Sequence, residues 1–277
     1  MKYIRKQTPA RILALGFLAV ILLGSFLLML PCSVRPGVSL HYVDALFTST
    51  SAVCVTGLIA VDTADTYTAF GQAVVAALIQ IGGLGVTSVG VGFILAMGKR
   101  VNLKERLLIR EAMNLESGRG LVSLVKNILK VTLVFELTGA VLSFLVFRRD
   151  YPPVHALGIS LFHSIAAFNN SGFDILGGLK NLSGYRDNLT TAGLITFGGL
   201  GFLVIMDIVR KRSFKKLCLH SKAVITTSAI LLVVGTVLIR MTEQITWLGA
   251  FFTSVSARTA GFSTFSLGNF TNAGLLT

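Results

Sequence analysis

Apolar and polar positions in this chain fall in long blocks, without the short-period alternation of a water-facing helix or strand. Five apolar runs, Ala10–Leu30, Thr68–Met97, Val122–Phe147, Asn188–Val209 and Ala223–Ile239, approach or exceed the length needed to span a membrane. About 20 residues cross a hydrocarbon core at about 1.5 Å per residue. Between these runs lie three shorter semi-apolar segments, near Tyr42–Ala52, His155–Ala167 and Ile245–Ser256. Each is too short to span and ends in a small, polar, glycine-containing stretch. Such lengths predict re-entrant helices, whose irregular ends require protein or water around them. The first run follows Lys2, Arg5 and Lys6 as a signal peptide would. It exceeds the ~7–15 residues of a signal core and no small-residue cleavage site follows, so a retained transmembrane helix is predicted.

Composition strengthens this picture. The chain is 53% hydrophobic and 13% charged, with a mean hydropathy of +0.77, which argues against a soluble domain. A net charge of +13 could suggest nucleic acid, but no stacking aromatics interleave with the cations, and no nucleic-acid partner is expected. The basic residues cluster instead. One cluster is Lys2, Arg5, Lys6 and Arg11; a second is Lys99, Arg100, Lys104, Arg106, Arg110 and Arg119; a third is Arg210, Lys211, Arg212, Lys215, Lys216 and Lys222. If each short segment dips in and returns, all three clusters share one face, which the positive-inside rule makes cytoplasmic. The opposite loops carry Asp44, Asp62, Asp65, Asp150, Asp174 and Asp187. Cys32, Cys54 and Cys218 are far apart, with no metal-ligand spacing.

Three segments superimpose on one glycine. Phe47-Thr-Ser-Thr-Ser-Ala-Val-Cys-Val-Thr-Gly57-Leu58 aligns with Phe162-His-Ser-Ile-Ala-Ala-Phe-Asn-Asn-Ser-Gly172-Phe173. Phe252-Thr-Ser-Val-Ser-Ala-Arg-Thr-Ala-Gly261-Phe262 is the third, one residue shorter. A second element, Ile81-Gly82-Gly83-Leu84-Gly85, recurs as Phe197-Gly198-Gly199-Leu200-Gly201. These glycine runs lie inside apolar helices, where small residues let backbones approach, and they are read as packing devices. The glycine ending each short helix has a sharper reading. A cation filter turns successive backbone carbonyls toward one axis, which demands angles that glycine adopts freely. One such glycine is usually a plain turn; three at equivalent positions favour a filter.

These segments resemble the first three pore loops of the Ktr/Trk/HKT superfamily of potassium transporters, along nearly the whole chain and in family order. A single helix before the first loop resembles the bacterial Ktr membrane subunits (KtrB-like) rather than the Trk branch. The resemblance implies an all-α integral membrane protein of repeated helix–pore loop–helix units around a pseudo-fourfold pore. Residues 1–98 would form the first repeat, 99–121 a cytoplasmic loop, 122–209 the second repeat and 210–222 another cytoplasmic loop. Residues 223–277 would begin an incomplete third repeat. The chain stops sixteen residues after Gly261, so a fragment is expected, with the fourth pore loop and a gating loop beyond Thr277. The implied filter comprises Val53, Cys54, Val55, Thr56 and Gly57, then Phe168, Asn169, Asn170, Ser171 and Gly172, then Ala257, Arg258, Thr259, Ala260 and Gly261. The implied function is potassium uptake across the plasma membrane, with no cofactor, transported K+ as cargo, and Na+ as a candidate coupling or gating ion. A sodium-permeable relative and a non-conducting membrane scaffold are the alternatives. In the superfamily a serine at the first filter glycine accompanies sodium preference, and Gly57 predicts potassium. Implied partners are membrane lipid, a second copy in a homodimer, and a cytosolic nucleotide-binding regulatory ring (KtrA-like).

Other polar residues carry open alternatives. Asp174, two residues past Gly172, could concentrate cations in an outer vestibule or be a plain surface residue. Glu136 lies inside an apolar run, where a carboxylate is costly. It could pair with Lys130 or an interior group, or serve transport. Arg258, beside a cation path, could brace the filter by turning toward a carboxylate. His41, His155 and His163 lack any triad or HExxH context, and no enzyme chemistry is expected.

Overall fold

The computed structural model describes residues 8–97, 101–112, 120–176, 186–262 and 270–276. Lys2, Arg5, Lys6, Lys99, Arg100 and Arg119, the stretch 263–269, Thr277, and the side chains of Lys104 and Asp187 lie outside the described residues. Among the described residues the regular structure is helical, with one isolated β-bridge between Val34 and Tyr67.

The apolar blocks become helices in the expected order. Helix α1 is Pro9–Leu28, α2 Tyr42–Cys54, α3 Thr63–Thr66, α4 Ala69–Leu84, α5 Val86–Ala96 and α6 Leu103–Ala112. Then follow α7 Leu121–Phe147, α8 Pro153–Phe168, α9 Arg186–Leu200, α10 Phe202–Lys211, α11 Leu219–Thr242, α12 Trp247–Thr259 and α13 Asn272–Leu276. Their starts carry ordinary caps. Pro9 and Pro153 occupy first-turn positions, where a missing N–H costs nothing. Thr68 and Thr246 accept hydrogen bonds from the amides of Gly71 and Gly249. Three helices, Ala10–Leu28, Leu121–Phe147 and Leu219–Thr242, are apolar and long enough to cross a membrane.

Two of the expected continuous spans are instead broken. Ala69–Leu84 and Val86–Leu95 meet at 99°, and Leu189–Leu200 and Phe202–Lys211 meet at 96°. The break residues are Gly85 (φ 80°, ψ 134°) and Gly201 (φ 83°, ψ 148°). That backbone region is essentially closed to residues bearing a Cβ. A Cβ there would meet nothing within 4 Å. Gly85 and Gly201 are therefore bend residues, which corrects their reading as packing devices.

The described chain forms two compact units, and the long helix α7 passes from the first at Val134 into the second at Phe135. In the first unit, α1 packs on α2 and α4, and α5 packs on α6. Val91, Val101, Ile109, Leu121 and Val125 close its core. In the second unit, α8 packs on α9, α12 on α11 and α9, and Phe147, Ala156 and Ile159 form a buried cluster. Much of the long helices' apolar surface stays uncovered: Leu23 is 64% exposed, Phe26 65%, Val134 62% and Val233 64%. Continuous apolar faces of this kind are unfavourable in water and match a hydrocarbon solvent.

Candidate functional site

The second unit includes residues 56–58 together with 135–277, so all three repeated glycines belong to it. Gly57, Gly172 and Gly261 have φ of 73°, 71° and 72°. A Cβ on Gly57 would lie 2.5 Å from the Ser171 carbonyl oxygen and 3.3 Å from Gly172 Cα. A Cβ on Gly172 would collide with the Ala260 carbonyl oxygen and lie 3.4 Å from the Gly261 carbonyl carbon. Gly57 and Gly172 thus each abut the carbonyl that precedes the next segment's glycine, and a Cβ on Gly261 would lie 3.8 Å from Gly172 Cα. Three chain segments, far apart in sequence, meet backbone to backbone with no side chain between them.

Each segment is delivered by the C-terminal end of a short helix: α2 ends at Cys54, α8 at Phe168 and α12 at Thr259. Helix C-termini carry partial negative charge, which favours a cation beyond them. The chain leaves α8 through a Schellman turn, in which the Ser171 amide donates to the Ala166 carbonyl (2.9 Å) and the Asn170 amide to that of Ala167 (3.1 Å). Such a turn requires one left-handed residue, and Asn170 supplies it with φ 56°. Val55, the corresponding residue after α2, has φ 55°. The third segment, one residue shorter, passes through Ala260 at φ −104° instead. Its Gly261 amide donates to the Ser256 carbonyl, and the Ser256 hydroxyl donates to the Phe262 carbonyl.

The remaining expected filter residues fall into distinct places. Val53, 1% exposed, closes the last turn of α2, and its carbonyl rests against Gly82. Phe168 closes α8, with its carbonyl against Gly198. A Cβ on either glycine would collide with that oxygen, so these two are the close-approach positions of the glycine runs. Cys54 and Thr56 are exposed, Ser171 is buried, and Ala257, Arg258 and Thr259 form the last turn of α12. Phe168 also stacks on Phe135, ring centroids 5.5 Å apart.

Side chains brace these segments from behind. In the amide orientation that satisfies both atoms, Asn170 donates to the Ala167 and Ile195 carbonyls and accepts from the Thr259 hydroxyl (2.8 Å). One side chain thereby joins the second segment, α9 and the third short helix. Asn169 donates to Glu136 Oε1 at 3.2 Å and to the Ile165 carbonyl at 2.9 Å. Glu136 is held by an amide of the second segment, an interior partner. Arg258 donates to the Ser228 hydroxyl of α11 at 3.4 Å, a hydroxyl partner rather than a carboxylate. Asp174 accepts the Leu176 amide at 2.9 Å and closes the loop after Gly172. His163, 3% exposed, pairs with Thr191 at 2.7 Å and packs edge-on against Phe147 and Phe262. The Asn170 and Asn169 contacts were missed from sequence.

Comparison with known proteins identifies relatives of this chain. A family model described as TrkH, cation transport protein, matches residues 3–225. The potassium/sodium uptake protein NtpJ of Enterococcus hirae is 37% identical over 289 residues, covering 99% of this chain and 64% of that protein. The Ktr system potassium uptake protein B of Vibrio alginolyticus is 41% identical over 290 residues, covering 98% of this chain and 63% of that protein. The chain thus spans somewhat less than two thirds of the length of these curated relatives. The crystal structure of the potassium transporter TrkH from Vibrio parahaemolyticus matches with a TM-score of 0.64 at 20% identity, over 90% of this chain and 52% of that one.

Proposed function

Because the chain belongs to the TrkH family of cation transport proteins, we propose that it is part of a membrane subunit for potassium uptake. Its cation path would be lined by backbone carbonyls near Gly57, Gly172 and Gly261. The observation that carries this reading is the meeting of the three glycine-ended segments without intervening side chains. A potassium ion entering such a site exchanges hydration oxygens for carbonyl oxygens, so the fixed carbonyls offset its dehydration cost. Helices α8 and α12 end at the second and third of these segments, and helix C-termini carry partial negative charge. No acid–base pair or nucleophile is needed for passage, which is consistent with transport rather than catalysis.

The finer reading follows the same line. Residues 1–98, 122–209 and 223–277 act as repeats of one unit around a pseudo-fourfold pore, in the cell membrane, with the N-terminus cytoplasmic. Asp174 belongs to the outer vestibule. The subunit pairs with a second copy and is regulated by a cytosolic nucleotide-binding ring. The Ktr name of the Vibrio alginolyticus relative favours potassium. The potassium/sodium name of the Enterococcus hirae relative favours a second reading, in which sodium also permeates.

The test is growth. The complete protein should restore growth of a potassium-uptake-deficient bacterium at low potassium, and a cysteine at Ser213 should label only from the cytoplasm. No rescue by a protein shown to be in the membrane would count against uptake, and outside labelling against the orientation.

A further inference from the structure

Serine and threonine inside helices ordinarily return their hydroxyl to the carbonyl four residues back. The short helices contain such residues: Thr50 donates to the Leu46 carbonyl, Ser160 to Ala156 and Thr253 to Gly249, at 2.6 to 2.8 Å. Three serines break that habit. Ser49 donates to the Ile21 carbonyl of α1 at 2.7 Å, Ser164 to the Glu136 carbonyl of α7 at 2.6 Å, and Ser254 to the Leu232 carbonyl of α11 at 3.2 Å. In each repeat the hydroxyl leaves its own helix for the long helix before it.

The three contacts are the same contact. Ser49 and Ser164 each precede their repeat's glycine by eight residues, and Ser254 precedes Gly261 by seven, as the shorter third segment requires. Each accepting carbonyl lies three residues before a glycine of the long helix: Gly24, Gly139 or Gly235. A Cβ on any of these glycines would lie 2.5 Å from the serine Oγ. The missing Cβ is what lets the hydroxyl reach the backbone. At Gly24 and Gly139 a leucine of the following helix, Leu78 or Leu194, closes the same node at 2.7 and 2.6 Å from that Cβ position. All three serines are at most 5% exposed, and a hydroxyl at membrane depth has no water to fall back on.

We propose that Ser49, Ser164 and Ser254 are positioning residues that fix the depth and rotation of the three short helices, and with them the placement of Gly57, Gly172 and Gly261. The bond crosses between helices at the carbonyl ridge of a close-packed contact. Its loss frees the short helix to slide or turn by a fraction of an ångström, on the scale at which carbonyls discriminate between cations.

This inference rests on the filter reading, and its test separates the two. In the complete protein, rubidium and sodium uptake are measured for the unaltered chain and for Ser164→Ala, Ser254→Ala and Ser49→Ala. Failure of the unaltered protein to prefer rubidium sinks the filter reading and this inference with it. With preference established, each alanine variant should lower the rubidium-to-sodium ratio by roughly three- to tenfold, the scale of one lost hydrogen bond. The amount of protein in the membrane should not change. Ser160→Ala removes an equally buried hydroxyl from α8 that bonds only within its helix and should leave the ratio unaltered. Unchanged ratios in the three variants would overturn the proposal, as would an equal drop in Ser160→Ala. Failure of all three to accumulate would also overturn it, in favour of a purely structural bond.

Discussion

Gly57 and Gly172 each meet two demands that no other residue meets together. Their φ of 73° and 71° costs an L-residue about 1–2 kcal/mol, and their Cβ directions run into the carbonyls of Ser171 and Ala260. Gly57→Ala and Gly172→Ala should therefore each cut rubidium uptake by roughly tenfold or more, since about 1.4 kcal/mol already corresponds to tenfold. Gly57→Ser should behave like Gly57→Ala and lower the potassium-to-sodium ratio. Uptake and selectivity near those of the unaltered protein would argue against carbonyl contact at these positions. The special status of these glycines was legible in sequence because it recurs three times at the end of short apolar segments. The braces were not. Asn169–Glu136 and Arg258–Ser228 join residues 33 and 30 positions apart, and nothing in one sequence pairs them.

At the scale of helices, hydrophobic blocks placed the short segments to within a few residues. Tyr42–Ala52 became Tyr42–Cys54, and His155–Ala167 became Pro153–Phe168. Blocks failed where one apolar run holds two helices. Gly-Gly-Leu-Gly is compatible with close approach or with a bend, and hydropathy does not tell which glycine takes the left-handed backbone. The structure divides the work: Gly82 and Gly198 receive a carbonyl, and Gly85 and Gly201 turn the chain. Gly85→Ala and Gly201→Ala should thus each destabilise by about 1–3 kcal/mol, the cost of a residue held in a glycine-only region. Gly90, inside α5 with nothing within 4 Å of its Cβ position, is the contrast. Gly90→Ala should be neutral or stabilising by up to about 1 kcal/mol, because alanine favours the helix. Denaturation in detergent ranks the three, and an order with Gly90→Ala worst would contradict the bend assignment.

For the whole molecule, helices apolar and long enough to cross a membrane were legible in composition and block length, and family in the order of the glycine-ended segments. Packing was less accessible. The successive contacts of Gly57 with Gly172 and of Gly172 with Gly261 follow a Schellman turn through Asn170, a residue type that tolerates the left-handed conformation. The Asn170 side chain also ties the Ala167, Ile195 and Thr259 positions together, a set of contacts that no local pattern announces. Removing that tie with Asn170→Ala leaves a left-handed residue without its anchor. The central claim is that these segments form a cation path that prefers potassium. The most direct measurement is ion flux through the complete protein, purified and reconstituted into lipid vesicles, with potassium and sodium gradients imposed in turn. The account predicts flux that is faster for potassium than for sodium, with the preference lost in Gly172→Ala. Absence of flux, or a potassium preference that survives Gly172→Ala unchanged, would contradict it.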